Sequence, residues 1–267
     1  MDLGLAGAAV VVAGGTTGMG RAAADCFAAD GARVAVLARS RADLDATAAA
    51  LADLGSPDAI GVAVDLFDGA SVDAAITEIG ERWGHLNAVV NAAGPMAGGL
   101  KSFETYTDDD WHSVFDGLTL SAVRTVRAAL PYLRRADWAR IVNVSAMSTK
   151  RQSPPLIAYT AAKSALTSLT KNLAQTLAPE GILVNTVSPG TFASESFKAA
   201  LAEMPGVDEN DLHDVMRFIR EGFGHHVFLD RAAHPSEIGP VIAFAASARN
   251  TYMTGANLNV DGGSDFT

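Results

Sequence analysis

The chain has 267 residues, 49% of them hydrophobic, 19% charged and 7% aromatic, with a single cysteine. Near-half apolar content excludes a disordered chain, and the length builds one large domain or at most two small ones. Twenty basic residues against thirty acidic ones leave a net charge of −10, which repels phosphate backbones and anionic lipid heads.

The basic residues are scattered, clustering only at Arg39/Arg41 and Arg134/Arg135, so neither a nucleic-acid nor a membrane partner is expected. Cys26 stands alone in an Ala-rich helical pattern, where no intrachain disulfide or cysteine metal cage can form; a buried, inert thiol is expected. The N-terminus lacks a basic stretch before its apolar run, Leu5 to Ala13, and no run is long enough to span a membrane. A soluble, cytoplasmic protein is the expectation.

Short β-branched runs alternate with Ala-rich helical patterns. Ala8–Ala13 reads as a buried strand, followed by a Gly-rich turn and a helix from about Gly18 to Ala29. Arg33–Ala38 is a second strand and Ala42–Leu54 a helix; Ala59–Val64 is a third strand and Ala70–Trp83 a helix. Leu86–Val90 is a fourth strand, before a long helix for which Asp108–Asp110 are cap candidates. Arg140–Val144, Ile182–Val187 and Ala256–Val260 complete seven strand candidates, with helices over Ala158–Ala178 and Ser236–Ala246. This alternation predicts an α/β domain, a parallel sheet with helices on both faces, because its strands are apolar throughout rather than on alternate residues. No repeat or linker marks a second domain. Thr191–Pro235 departs from the rhythm: it has helical pattern but no strand, and is expected to form a lid near the carboxyl ends of the strands.

Gly14-Gly15-Thr16-Thr17-Gly18-Met19-Gly20 lies between the first strand and the first helix. Glycines there let the backbone approach a pyrophosphate, and the helix start offers free N–H groups and a positive dipole. Tyr159 and Lys163 lie four apart on a predicted helix and share a face. A free tyrosine titrates near 10, and an adjacent Lys⁺ favours the phenolate and draws that value toward neutrality.

With these two motifs the chain resembles the short-chain dehydrogenase/reductases, over essentially its whole length. Asn91-Ala92-Ala93-Gly94 looks like that family's N-N-A-G, Ser188-Pro189-Gly190 like its P-G turn, and Asp261-Gly262-Gly263 like its closing D-G-G. The resemblance implies a doubly wound Rossmann-type fold, NAD(P) binding, hydride transfer to or from a carbonyl or alcohol carbon, and a homo-oligomer, dimer or tetramer. Tyr159 would be the acid/base, and Lys163 would bind the nicotinamide ribose and lower the Tyr159 pKa. Gly14, Thr16, Thr17, Gly18 and Met19 would hold the pyrophosphate. Asp65 and Leu66 would contact the adenine, and Asn91, Ala92 and Gly94 the centre of the cofactor. Pro189 and Gly190 would border the nicotinamide, with Thr191, Phe192 and Ser194 near its amide.

Two positions depart from the family. The serine expected thirteen residues before the tyrosine is Ala146. Ser148 is the better substitute, because residues two apart in an extended segment face the same way while Ser145 faces oppositely; Ser145, or no serine, are the alternatives. The asparagine expected seven residues after Trp111 is Leu118, which is read as a packing residue. Thr119 beside it points about 100° away and would need a local bulge to substitute.

The end of the second strand, Val36-Leu37-Ala38-Arg39, carries no carboxylate to repel a 2′-phosphate, and Arg39 suits one. NADP(H) is therefore favoured over NAD(H), although Thr17 occupies a position where many NADP-binding relatives have a basic residue. Phe192, Phe197, Leu201, Met204, Met216, Phe218, Ile219, Phe223 and Phe228 populate the lid segment, either as core or as the wall of an apolar substrate site. His225 and His226 lack the spacing of helical zinc ligands and are read as surface residues; no metal site is expected. The expectation is an NADP(H)-dependent oxidoreductase acting on a small-molecule carbonyl or alcohol, probed against two alternatives: a cofactor-binding regulatory or scaffold protein with little activity, and an NAD-linked alcohol dehydrogenase.

Overall fold

A computed structural model describes residues 2–94, 101–204 and 206–264. β1 (Ala9–Ala13) runs into α1 (Gly18–Ala29), β2 (Arg33–Ala38) into α2 (Arg41–Asp53), and β3 (Ala59–Ala63) into α3 (Gly69–Trp83). β4 (Ala88–Asn91) precedes α4 (Asp108–Phe115), a π-helical turn at Asp116–Leu120, and α5 (Ser121–Leu133). β5 (Ala139–Val144), α6 (Ile157–Leu177) and β6 (Ile182–Pro189) follow. The chain then forms α7 (Glu195–Leu201), α8 (Leu212–Phe223), α9 (Gly239–Ala245) and β7 (Asn257–Val260). Each expected strand forms, with its ends moved by two residues or fewer.

The strands make one seven-stranded sheet in the order β3-β2-β1-β4-β5-β6-β7, every pair parallel. Successive residues of β1 explain why the runs are apolar throughout. Val10 and Val12 pack with Phe27 and Ile242 on one face, while Val11 and Ala13 pack with Ile76 and Ile79 on the other. Each large aliphatic side chain buried this way contributes roughly 1.5–3 kcal/mol. The chain leaves β3 at one edge and returns to β4 beside β1. The carboxyl ends of β1 and β4 therefore flank a topological switch point, where ligands bind in open α/β sheets.

Some local expectations shift. The cap of α4 is Thr107, not one of the three aspartates: its extended backbone lets the hydroxyl accept from the Asp110 N–H at 3.2 Å, while the Asp110 carboxylate accepts from the Thr107 N–H at 2.9 Å. The expected 236–246 helix opens with a 3₁₀ turn at Pro235–Glu237. Cys26 is half-buried rather than buried, and partial burial pushes its thiol up, away from the reactive thiolate. The 191–235 segment holds α7 and α8, with one parallel bridge between Phe192 and Ala233. Among the described residues no helix is long and apolar enough to cross a membrane, and no three His, Cys, Asp or Glu side chains are grouped to hold a metal.

Candidate active site

The Gly-rich loop leaves β1 with no room for side chains. Gly14 has φ +78, and a Cβ there would lie 2.7 Å from the Ala93 backbone. A Cβ on Gly20 would lie 2.2 Å from the Gly14 carbonyl oxygen. Gly18, at φ +56, opens α1, whose cap residue Thr17 makes no side-chain hydrogen bond to the helix. The first-turn amides are thus not consumed by the cap, and the loop makes a cradle of the kind that takes a phosphate. Ala92 is tied to β1 through its N–H to the Ala13 carbonyl at 3.0 Å. Asn91 donates to Asn143 Oδ1 at 2.8 Å, and Asn143 donates to Thr170 Oγ1 at 2.9 Å, which locks β4, β5 and α6 together. The buried Asn91 Oδ1 has no partner among the described residues. A cradle that any Cβ would fill, beside an orphaned acceptor, fits a dinucleotide.

Beyond the loop, Arg39 is exposed just after β2 and forms no ion pair among the described residues. Its neighbour Arg41 is engaged with Asp45 at 3.2 Å. Asp65 follows β3 in a tight turn, its Oδ1 accepting from Phe67 N–H and its own N–H donating to Ser71, both at 3.0 Å. Leu66 is partly buried, and its carbonyl accepts from Arg124 at 3.1 Å.

At the carboxyl side of the sheet lies a cavity of about 620 Å³, within the range of small-molecule sites. Tyr159, Ser148, Gly94, Met19, Pro189 and Gly190 all border it, so the sheet ends, the Gly loop and α6 meet at one place. A smaller cavity of about 150 Å³ beside β7 contains the Arg231–Glu237 pair but neither Tyr159 nor Lys163.

Tyr159 and Lys163 share a face of α6 as their spacing predicts, and the Lys163 Nζ lies 5.8 Å from the Tyr159 ring centroid. Lys163 is 3% exposed, and its Nζ donates to the Val144 carbonyl at the end of β5 at 2.7 Å. Burial draws Lys163 down to about 8 and pushes Tyr159 up to about 12. The expected pull of Lys163 on the phenol is therefore absent in this arrangement. Desolvation governs both groups, and the ammonium is directed at a backbone carbonyl.

The two serines beside Ala146 are placed differently, and not as an extended segment would place them. Met147–Thr149 is a 3₁₀ turn, so the segment is not extended beyond Ala146. Ser148 still borders the cavity, and its Oγ accepts from Thr160 at 3.0 Å. Ser145 is turned away: its hydroxyl donates to the Lys163 carbonyl at 3.1 Å and pairs with Thr167 at 2.8 Å. Ala146 itself borders the cavity with a methyl group.

Leu118 packs against Ala158 and Ala162, its Cδ2 3.5 Å from where a Gly94 Cβ would sit. The bulge that Thr119 would need exists, as the π-helical turn at Asp116–Leu120. Thr119 uses it to donate to the Ala162 carbonyl at 2.9 Å, docking the kinked helix on α6.

The 191–235 segment supplies much of the remaining cavity wall through Thr191, Phe192, Ser194, Phe197, Ile219, Phe223 and His225, with Met147 and Leu156 beside them. Ser194 also caps α7, accepting from Phe197 N–H at 3.4 Å. Leu201 and Met216 are packed inside the segment, whereas Met204 and Phe228 are exposed. His225 overturns its surface reading, being only 5% exposed; His226 is on the surface. The physical reason is Gly224, which ends α8 in the left-handed conformation at φ +64 and turns the next residue inward. A glycine closing an amphipathic helix was the sequence signal for that return.

A sequence-family profile described as Enoyl-(Acyl carrier protein) reductase matches residues 13–265. The chain is 32% identical over 259 residues to oxidoreductase asL5 of Sarocladium schorii, covering 97% of this chain and 96% of that protein. It is 36% identical over 255 residues to the (5R,7aS)-5-hydroxy-7a-methyl-1-oxo-2,3,5,6,7,7a-hexahydro-1H-indene-carboxyl-CoA reductase of Mycobacterium tuberculosis, covering 94% of this chain and 90% of that one. The L-sorbose reductase of Gluconobacter frateurii, solved in complex with NADPH and L-sorbose, matches with a TM-score of 0.90 at 27% identity over all of both chains. Fold, motif order and relatives agree on an oxidoreductase. The chain belongs to the short-chain dehydrogenase/reductase family.

Proposed function

We propose that the protein is an NADP(H)-dependent oxidoreductase that interconverts a carbonyl and an alcohol on a largely apolar small molecule, within one domain whose 191–235 segment covers the site. The observation that carries this reading is the shared cavity, on which Tyr159, Ser148, Met19 of the Gly loop and Pro189–Gly190 converge. Bound nicotinamide would supply or accept the hydride. Ser148 donates a hydrogen bond to the substrate oxygen, since its own lone pair already receives the Thr160 proton. Tyr159 transfers the proton at that oxygen. Lys163 binds the nicotinamide ribose, leaving the Val144 carbonyl to do so. Arg39 would hold a 2′-phosphate, a preference supported by its exposure and lack of an ion-pair partner among the described residues and by the NADPH bound to the Gluconobacter frateurii enzyme.

The aromatic and aliphatic wall from the 191–235 segment supports an apolar substrate. The family habit supports a cytoplasmic dimer or tetramer. A second reading, a cofactor-binding protein with little turnover, is favoured by Ala146 and Leu118, which put carbon where the family places polar groups. Fluorescence titration with NADPH and NADH, then a panel of apolar ketones, separates the two. Tight NADPH binding with turnover abolished by Tyr159→Phe supports the enzyme; NADPH binding with no turnover of any ketone supports the second reading.

A further inference from the structure

His225 has no role in the hydride and proton transfer described above, yet it is placed as a functional group. It borders the same cavity as Tyr159 and Ser148, is 5% exposed, and its buried Nε2 has no hydrogen-bond partner among the described residues. Buried polar atoms almost always find partners, so an orphaned nitrogen on a residue that lines a cavity points to a ligand atom as its missing partner. The surroundings make this specific. The same segment lines the cavity with carbon from Phe192, Phe197, Ile219 and Phe223 and with the short polar residues Thr191 and Ser194, and the imidazole lies 6.2 Å from the Phe223 ring.

The turn that carries His225 is held from outside. Arg151 donates to the Gly224 carbonyl at 3.1 Å and to the His226 carbonyl at 3.4 Å, gripping the backbone on both sides of His225. Burial first, and then the Arg151 charge, lower the histidine below its ordinary value, so the ring is neutral at pH 7. A neutral imidazole nitrogen offers one donor or one acceptor, according to tautomer. A hydroxyl matches either, because it can donate and accept.

We infer that His225 is a specificity-determining residue that hydrogen-bonds a hydroxyl group on the substrate, at a position other than the reacting carbon. The substrate class is then an apolar hydroxyketone, or the corresponding diol in the reverse direction, rather than a plain hydrocarbon ketone. This assignment rests on the reading of the cavity as a carbonyl-reducing site, and its test is kept independent of turnover.

The test measures binding, by calorimetry in the presence of NADP⁺, of a decalone and of a panel of hydroxydecalones carrying the hydroxyl on the second ring. Wild type is expected to bind at least one hydroxydecalone about tenfold more tightly than the decalone, as one hydrogen bond to a buried polar group provides. His225→Phe, which keeps the ring and its packing, should reduce that ratio to near one. His225→Gln, a neutral hydrogen-bonding side chain, should restore part of it. Thermal unfolding of each variant confirms that the fold is intact. No preference for any hydroxydecalone in wild type, or a preference that survives in His225→Phe, overturns the assignment. NADPH oxidation by wild type is followed in parallel. Binding preference without oxidation supports the His225 site while removing the reductase reading, so the two fail separately.

Discussion

Thr160, next to Tyr159 in α6, donates its hydroxyl proton to Ser148 Oγ at 3.0 Å, inside the protein. The bond occupies a Ser148 lone pair and leaves the Ser148 proton for another oxygen. Ser148→Ala is therefore expected to lower kcat about 10²–10³-fold, the usual effect of removing an oxyanion donor, with a smaller change in KM. Thr160→Val should lower it less, because Ser148 persists but loses its orienting partner. Ser145→Ala should leave kcat near wild type, since that hydroxyl is bound to α6. Steady-state kinetics on the three variants settle the ranking; a larger loss in Ser145→Ala than in Ser148→Ala would reassign the donor.

Gly20 is the tightest point of the cradle, with the Gly14 oxygen 2.2 Å from any added Cβ. Backbone is the obstacle, so relief requires α1 to shift against the loop. Gly20→Ala should cost about 1–3 kcal/mol of stability and weaken cofactor binding at least tenfold. By contrast, Gly84→Ala meets nothing within 4 Å of its added Cβ, so only the strain of its φ of +79 remains. Chemical denaturation and NADPH titration of both variants test the difference, and an unchanged NADPH affinity in Gly20→Ala would argue against the cradle.

The strands were legible because both faces of the sheet are covered: Val10 and Val11 point to opposite helices, and each must be apolar. The Gly loop and the Tyr159–Lys163 pair were legible for a related reason, as their function depends on spacing along one element. What could not be read depends on how separate elements meet. The role of Thr160 behind Ser148 joins a 3₁₀ turn to α6. The direction of Lys163 is set by Val144, nineteen residues away. His225 is buried because Gly224 reverses the chain and Arg151 holds it there, a contact across seventy-three positions. A bulge is what Thr119 needs in order to turn its hydroxyl, and the π-helical turn that supplies it lies where Thr119 meets the Ala162 carbonyl of α6, a contact between separate elements.

The proposed preference for NADP(H) rests on one exposed side chain. Arg39 follows β2 without an ion-pair partner among the described residues, and the nearby Ser40 is occupied in capping α2. Arg39→Asp replaces a cation with an anion where a 2′-phosphate would lie. NADPH affinity should fall about 10–100-fold, as loss of a hydrogen bond to a charged group predicts, while NADH affinity should hold or rise. Side-by-side fluorescence titrations measure both. A parallel loss of NADH and NADPH would mean that Arg39 supports the loop rather than the phosphate.

Lys163 gives the protein a pH signature without any ligand. Its folded value of about 8 lies below the ordinary lysine value of 10.5, so between these limits the unfolded chain holds more protons than the folded one. Stability therefore rises with pH from about 8 toward 10.5 on account of this group, and that gain is lost as pH falls through 8. Tyr159 acts in the opposite sense and later: with its folded value raised to about 12 from 10.0, its contribution is present below pH 10 and is lost on the way to 12. The window between pH 8 and 10 isolates the lysine. There, wild type should gain stability relative to Lys163→Met by at most about 1.4 kcal/mol per pH unit. Urea denaturation of both proteins at several values in that window measures the slope. Parallel profiles would mean that Lys163 titrates at its ordinary value, and that its ammonium is better solvated than its burial against Val144 implies.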